Sequence, residues 1–254
     1  MASQAVTRYA SDGVLISGGA RAILLQVADP IVAAGVSRHS DFAHRPVERL
    51  RNTLTFAYAV VLGTPDDAAR VAAFVNRAHV PVDRAEDARL QLWVAATLYD
   101  TATRVHDRVF GPAADALADE LYRAYSALGT SLQMPESLWP SDRAAFARYW
   151  DERIVSLDVT EDAKSIAHDL FAPVTAPVWL RAGLPLARIL TLDLLPVSVR
   201  EDYGFEWTPG DERRARRARR AWALLKFVVA ITPLRLRSWP ARHYLAGLKR
   251  PRTL

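Results

Sequence analysis

Residues 46–79 read PVERLRNTLTFAYAVVLGTPDDAARVAAFVNRAH, and this stretch decides the fold class. Pro46 suits a first helical turn, where its missing N–H would be unpaired anyway. Leu50, Leu54, Ala57 and Val61 then form an apolar stripe at helical spacing, able to pack into a core. Gly63 is a natural helix stop. After Thr64-Pro65 a second helix begins, with Asp66 and Asp67 complementing its N-terminal dipole. Val71, Val75 and Ala78 carry it to His79, and Pro81 ends it.

The same punctuation extends in both directions. A helix pair is expected at 20–28 and 30–35, broken at Pro30. Further helices are expected near 86–110, 113–128, 141–156, 160–171, 179–191, 196–203 and 212–231. Ser141 and Thr160 look like N-caps before charged first turns. No run sustains the period-2 alternation of a strand, and there is no internal repeat or long linker. The chain therefore reads as all-α, a single globular helical domain. Its expected bounds are 13–240, with 1–12 an N-terminal extension and 241–254 a C-terminal tail.

The 254 residues are 50% hydrophobic, enough for one sizeable core. The absence of cysteine excludes disulfides, thiolate zinc sites, iron–sulfur clusters and thiolate-ligated heme. The net charge of +5 comes almost wholly from arginine, the only lysines being Lys164, Lys226 and Lys249. Basic patches mixed with aromatics, or a known reading motif, are missing, so no nucleic-acid partner is expected. Arg213-Arg-Ala-Arg-Arg-Ala-Arg-Arg220 runs into the apolar 221–225. A solvated face explains such a run, and so does peripheral contact with an anionic membrane through 213–231. The apolar stretch 13–36 is interrupted by Arg21, Gln26 and Asp29, and no signal peptide opens the chain. A cytoplasmic protein, membrane-peripheral at most, is the expectation. The sequence leaves the oligomeric state open, and a homodimer is compatible with it.

Two features could carry chemistry. Arg49, Asn52, Thr53, Phe56 and Val60 share one helix face that begins polar and ends apolar. Such a face could wall a pocket for a cofactor with a charged edge and an apolar body. It could equally be an exposed first turn entering an ordinary core helix. His79 follows Ala72 and Val75 on one face, where a histidine is either a hydrogen-bonded core residue or a metal ligand. With no cysteine, histidine is the strong ligand type left for heme iron. The remaining histidines are His39, His44, His106, His168 and His243, and no two form an i, i+4 zinc pair. There is no phosphate-binding glycine loop and no Gly-x-Ser-x-Gly elbow.

Several segments together resemble one family. They are Gly19-Ala-Arg-Ala-Ile-Leu-Leu-Gln26, Pro30, Ala33-Ala-Gly-Val36, Ser40-Asp-Phe42, Arg49-Leu-Arg-Asn-Thr53, His79, Leu90-Gln-Leu-Trp-Val-Ala-Ala-Thr-Leu98, and Leu194-Leu-Pro196 before Tyr203-Gly204. Their order and spacing are similar to those of the rubber oxygenase (latex-clearing protein) and MpaB oxygenase family, over about 13 to 240. The resemblance implies a helical fold with a globin-like core and a b-type heme held by one proximal histidine, His79. It assigns His79, Arg49, Thr53, Phe56 and Arg21 to the cofactor, and Asn52 and Thr53 to catalysis. It implies O2 and an apolar, isoprenoid-type alkene as substrates, with oxidation or cleavage of the double bond. The alternatives are a heme oxidase or peroxygenase of a small secondary metabolite, and a non-catalytic heme- or lipid-binding protein at a membrane surface. The chain also departs from the family. The rubber oxygenase has a lysine where Asn52 stands, and the family often has histidine where this chain has Asp29 and Ala95.

Overall fold

The computed structural model describes residues 2–39, 46–173, 175, 177–205 and 212–249. Every regular element among them is helical, as expected for an all-α domain. In chain order these are α1 (Gln4–Ala10), a 3-10 turn (Gly13–Gly18), α2 (Gly19–Val27), α3 (Pro30–His39), α4 (Pro46–Leu62), α5 (Pro65–His79), α6 (Ala88–Phe110) and α7 (Asp115–Thr130). A second 3-10 turn (Glu136–Leu138) precedes α8 (Arg143–Val155), α9 (Glu161–Phe171), α10 (Val178–Leu194), α11 (Val197–Asp202), α12 (Glu212–Ile231), α13 (Leu234–Arg237) and α14 (Trp239–Leu248).

α6 is the central element, packing on α7, α2, α12 and the first 3-10 turn. Its sequence explains why. Trp93, Ala96 and Val105 have essentially no exposed surface, and Leu92, Tyr99 and Ala102 are nearly as deep. The Trp93 indole donates to the Leu25 carbonyl at 3.0 Å, so this large side chain is buried without an orphaned N–H. Tyr99 meets Tyr122, Tyr125, Trp139 and Phe146 edge-on, with centroids 4.9 to 6.2 Å apart. Each such pair adds about 0.5–1.5 kcal/mol beyond simple burial. A second, smaller cluster joins Val14, Val105 and Leu190 to Ala221, Trp222 and Val229 of α12.

α4 and α5 form a helical hairpin across Gly63-Thr64. A Cβ at Gly63 would lie 2.4 Å from the Ala59 carbonyl, so only glycine closes this turn. Thr64 and Asp67 then form a reciprocal capping box: Thr64 Oγ1 accepts from the Asp67 N–H and Asp67 Oδ2 accepts from the Thr64 N–H, both at 3.2 Å. The cap of α8 is Asp142, which accepts from the Ala145 N–H, rather than the expected Ser141. Thr160 does cap α9, accepting from the Ala163 N–H at 3.4 Å.

Helices also form at both ends of the expected 13–240 domain. Within the stretch read as an extension, α1 buries Val6, Tyr9 and Ala10 in the main core. At the other end α14 spans the expected boundary, buries Ala241 and packs against α4. No single helix among the described residues is long and apolar enough to cross a membrane. The apolar run formed by Gly13–Val27 and Pro30–Arg38 bends by 108° at its break. Asp29 sits at that bend, accepting from the Ile31 and Val32 N–H groups and pairing with Arg153. Asp29 therefore serves as the N-cap of α3, and Ala95 is buried in the core.

Candidate functional site

Arg49 lies in the first turns of α4 and His79 is the last residue of α5. The two are almost equally far along the chain from the Gly63-Thr64 link, so antiparallel packing brings them to the same end of the hairpin. The chain beyond His79 turns sharply, with the Val82 N–H donating to the His79 carbonyl at 2.8 Å. It then meets α3, where a Cβ on Gly35 would come within 3.1 Å of Val82. Three elements thus converge on the His79 end.

That end is also anchored from outside. Gln133, just after α7, donates from Nε2 to Asn76 Oδ1 at 2.9 Å. Its backbone N–H donates to Gln91 Oε1, also at 2.9 Å. Gln91 in turn donates to the Ala85 carbonyl in the loop after α5, at 3.0 Å. Gln91 is buried, so this small network fixes the last turn of α5 against α6 and α7.

His79 itself is half-buried, and its Nδ1 is buried with no hydrogen-bond partner among the described residues. Burial alone pulls its pKa below the ordinary value, which keeps the imidazole neutral at neutral pH. The other described imidazoles each have a ring or carboxylate neighbour, although the His106 Nδ1 also lacks a hydrogen bond. His106 stacks on Tyr9 at 3.9 Å and lies 3.7 Å from Asp107. His168 meets Asp169, and His243 stacks on Trp239. His44 and the His39 side chain lie outside the described residues. A satisfied core histidine is one reading of His79 from sequence; the structure instead gives it no polar partner.

The surrounding candidates are placed unevenly. Arg49 is half-buried, and desolvation lowers its pKa from the usual guanidinium value. Phe56 and Val60 are half-buried and pack against the main core, while Asn52 and Thr53 are exposed. The first half of this helix face is therefore open and its second half closed. Arg21 sits apart from them. It is fully buried, and each guanidinium nitrogen has a protein partner: Nε donates to the Leu194 carbonyl at 2.8 Å, Nη1 to Thr101 at 2.7 Å and Nη2 to Asp100 at 2.6 Å. These contacts make Arg21 a clamp joining α2, α6 and α10.

Sequence reading missed a second feature. A cavity of about 1010 Å3 opens between α10, the end of α9, the turn after α11 and the start of α12. Arg181, Leu184, Pro185, Arg188 and Leu192 line it from α10. Their i, i+3, i+4, i+7, i+11 spacing was visible in the sequence, but the facing walls were not. None of the lining residues belongs to α4 or α5.

Fold and site together define an all-helical protein with a neutral imidazole, without a polar partner among the described residues, at the same end of the α4–α5 hairpin as a half-buried arginine. No group of three or more potential metal ligands is gathered among the described residues. The chain belongs to the family described as ER-bound oxygenase mpaB/B'/rubber oxygenase, catalytic domain, whose model matches residues 7–224. It is 34% identical to an uncharacterized protein of Mycobacterium tuberculosis, Rv2237, over 76% of this chain and 81% of that protein. The same figures hold for an uncharacterized protein of Mycobacterium bovis, Mb2261. No solved structure matches the chain. Family membership makes this an oxygenase-type catalytic domain, an oxidoreductase in general terms.

Proposed function

We propose that the chain is a b-type heme-dependent oxygenase of an apolar, isoprenoid-type alkene, with His79 as the iron ligand. The observation that carries the reading is the His79 imidazole, held neutral by burial and left without a polar partner at the end of an anchored helix. A porphyrin would bring its own nitrogen ligands, so a single protein imidazole such as His79 would suffice to hold it. Arg49, a partly desolvated cation at the same end of the hairpin, suits a propionate. When bound, heme would supply the activation of O2.

The protein's own part is to bind, orient and exclude water. Phe56 and Val60 give the helix face an apolar end that would hold an alkene away from solvent. Asn52 and Thr53, at the open end, carry the polar groups that could bond an oxygen during the reaction. Asn52 cannot act as a proton donor of lysine type.

We further propose that the domain works against an anionic membrane surface. Leu224, Phe227, Val228 and Ile231 lie at i, i+3, i+4 and i+7 on α12 and are exposed, Phe227 at 61% and Ile231 at 64%. The stripe continues N-terminally through Arg213, Arg217 and Arg220. The opposite face, with Ala218, Ala221, Trp222 and Val229, is buried. A helix seated by one face and presenting a basic-then-apolar stripe on the other suits the lipid interface, where an apolar substrate would partition.

The deciding experiment is the absorption spectrum of the freshly purified protein with a pyridine hemochrome assay, followed by product analysis with O2 and isoprenoid alkenes. A Soret band and about one b-type heme per chain, lost in His79→Ala with helix content kept, are expected. Carbonyl products would identify chain cleavage, whereas hydroxylation or desaturation alone would mark an oxidase or peroxygenase. A protein that neither carries heme nor binds added hemin would overturn the cofactor reading.

A further inference from the structure

The cavity between α9, α10 and α12 has a chemistry that the His79 site does not use. Four of its lining residues are arginines, Arg181, Arg188, Arg214 and Arg217, and no carboxylate lines it among the described residues. Arg181, Arg188 and Arg217 form no ion pair with any described residue, although the domain pairs many of its other arginines. Arg181, Arg188 and Arg217, lining one cavity without an ion pair to any described residue, repel one another, and an anion between them relieves that cost.

The rest of the lining is apolar. Arg188 lies over the rings of Phe171 and Phe205, at 5.8 and 5.9 Å from their centroids. Leu184, Ile189 and Leu192 extend the same wall along α10. Pro185 cannot donate a backbone hydrogen bond to the Arg181 carbonyl, which loosens the helix at the cavity wall. Gly204, with φ of +71°, turns the chain after α11 so that Phe205 closes the other side. The volume matches that of ordinary small-molecule sites, roughly 300–1,000 Å3.

We propose that this cavity binds a single-chain amphipathic anion. Its phosphate or carboxylate head pairs with Arg181, Arg188 and Arg217, and its tail lies along Phe171, Phe205 and Leu184. Guanidinium groups pair bidentately with either head group, which is why the class is named by charge and shape. The site is separate from the hairpin that carries His79 and does not require bound heme.

Isothermal titration with dodecyl phosphate and dodecanoate, each below its micelle concentration, tests this, with dodecanol and inorganic phosphate as partial probes. One amphiphile per chain is expected, at least about tenfold tighter than dodecanol for whichever head group the site prefers. Arg181→Gln with Arg188→Gln should weaken it about tenfold or more. Arg89→Gln with Arg148→Gln removes the same charge at exposed positions away from the cavity and should leave binding unchanged. Equal binding of dodecanol, an equal loss in the control pair, or binding only to anionic vesicles and not to monomeric amphiphile would each overturn the proposal. Amphiphile binding retained by His79→Ala separates this site from the heme reading, so either can fail alone.

Discussion

At the scale of single residues, His79 and Arg21 show how burial means different things for two polar side chains. His79 is desolvated without compensation. Its folded pKa lies below the ordinary 6.5, so as pH falls the unfolded chain takes up a proton first. The stability associated with it is complete above about pH 6.5 and is lost as pH drops toward the lowered folded value. Without added hemin, the urea midpoint should therefore fall between about pH 8 and pH 5, and fall less in His79→Gln. Identical pH slopes in the two proteins would remove the buried-imidazole argument. Arg21, by contrast, is fully compensated. Arg21→Ala leaves Asp100 buried with Arg104 as its remaining partner, and should cost about 3–5 kcal/mol in urea unfolding. Hemin affinity of the folded fraction should be unchanged. A loss of hemin affinity with little change in stability would instead restore Arg21 to the cofactor, as the family resemblance implies.

At the scale of elements, the His79 end of α5 is only as well placed as the network that holds it. Gln91→Leu orphans the Gln133 N–H and the Ala85 carbonyl, a loss of about 1–3 kcal/mol. If that network positions the ligand, Gln133→Leu should also raise the hemin dissociation constant several-fold while the Soret maximum stays in place, since His79 itself is untouched. Unchanged hemin affinity would make the network purely structural. The hairpin itself was legible in the sequence because local chemistry punctuates it. Pro46, Gly63, the Thr64–Asp67 box and Pro81 fix the limits of α4 and α5, and α12 runs over 212–231 as its pattern indicates. α1, α13 and α14 were not legible. α13 spans only 4 residues, too few for a period to stand out, and α1 and α14 fall at the two ends, in or across stretches read as an extension and a tail. The arginine cavity was hidden for another reason. Its α10 wall has visible helical spacing, but its meaning depends on Phe171, Phe205 and Arg217, brought together from three other parts of the chain.

At the scale of the whole molecule, the unequal faces of α12 decide how the domain meets its surroundings. The inward face closes the second core cluster, so the helix is fixed in the fold and need not form on binding. The outward face, with Leu224, Phe227, Val228 and Ile231 exposed, is the largest run of exposed apolar side chains on one helix in the described chain. Water is a poor solvent for it and an acyl boundary a good one, while Arg213, Arg216, Arg217 and Arg220 lie at the helix start where head groups would sit. Each arginine near an anionic leaflet contributes about 1 kcal/mol, a term weakened by salt, whereas the apolar contribution is not. Sedimentation with phosphatidylglycerol-containing vesicles should therefore show binding that falls with ionic strength and is weak on pure phosphatidylcholine. Phe227→Asp with Ile231→Asp should abolish it at any salt, without loss of helix content, because both side chains are exposed. Arg216→Gln with Arg220→Gln should weaken binding roughly thirtyfold at low salt, about 2 kcal/mol, and much less at high salt. If the Asp pair binds vesicles as well as the parent protein does, the membrane is not what the stripe meets. The same pair becoming monomeric while the parent is dimeric would assign the stripe to a second copy of the chain.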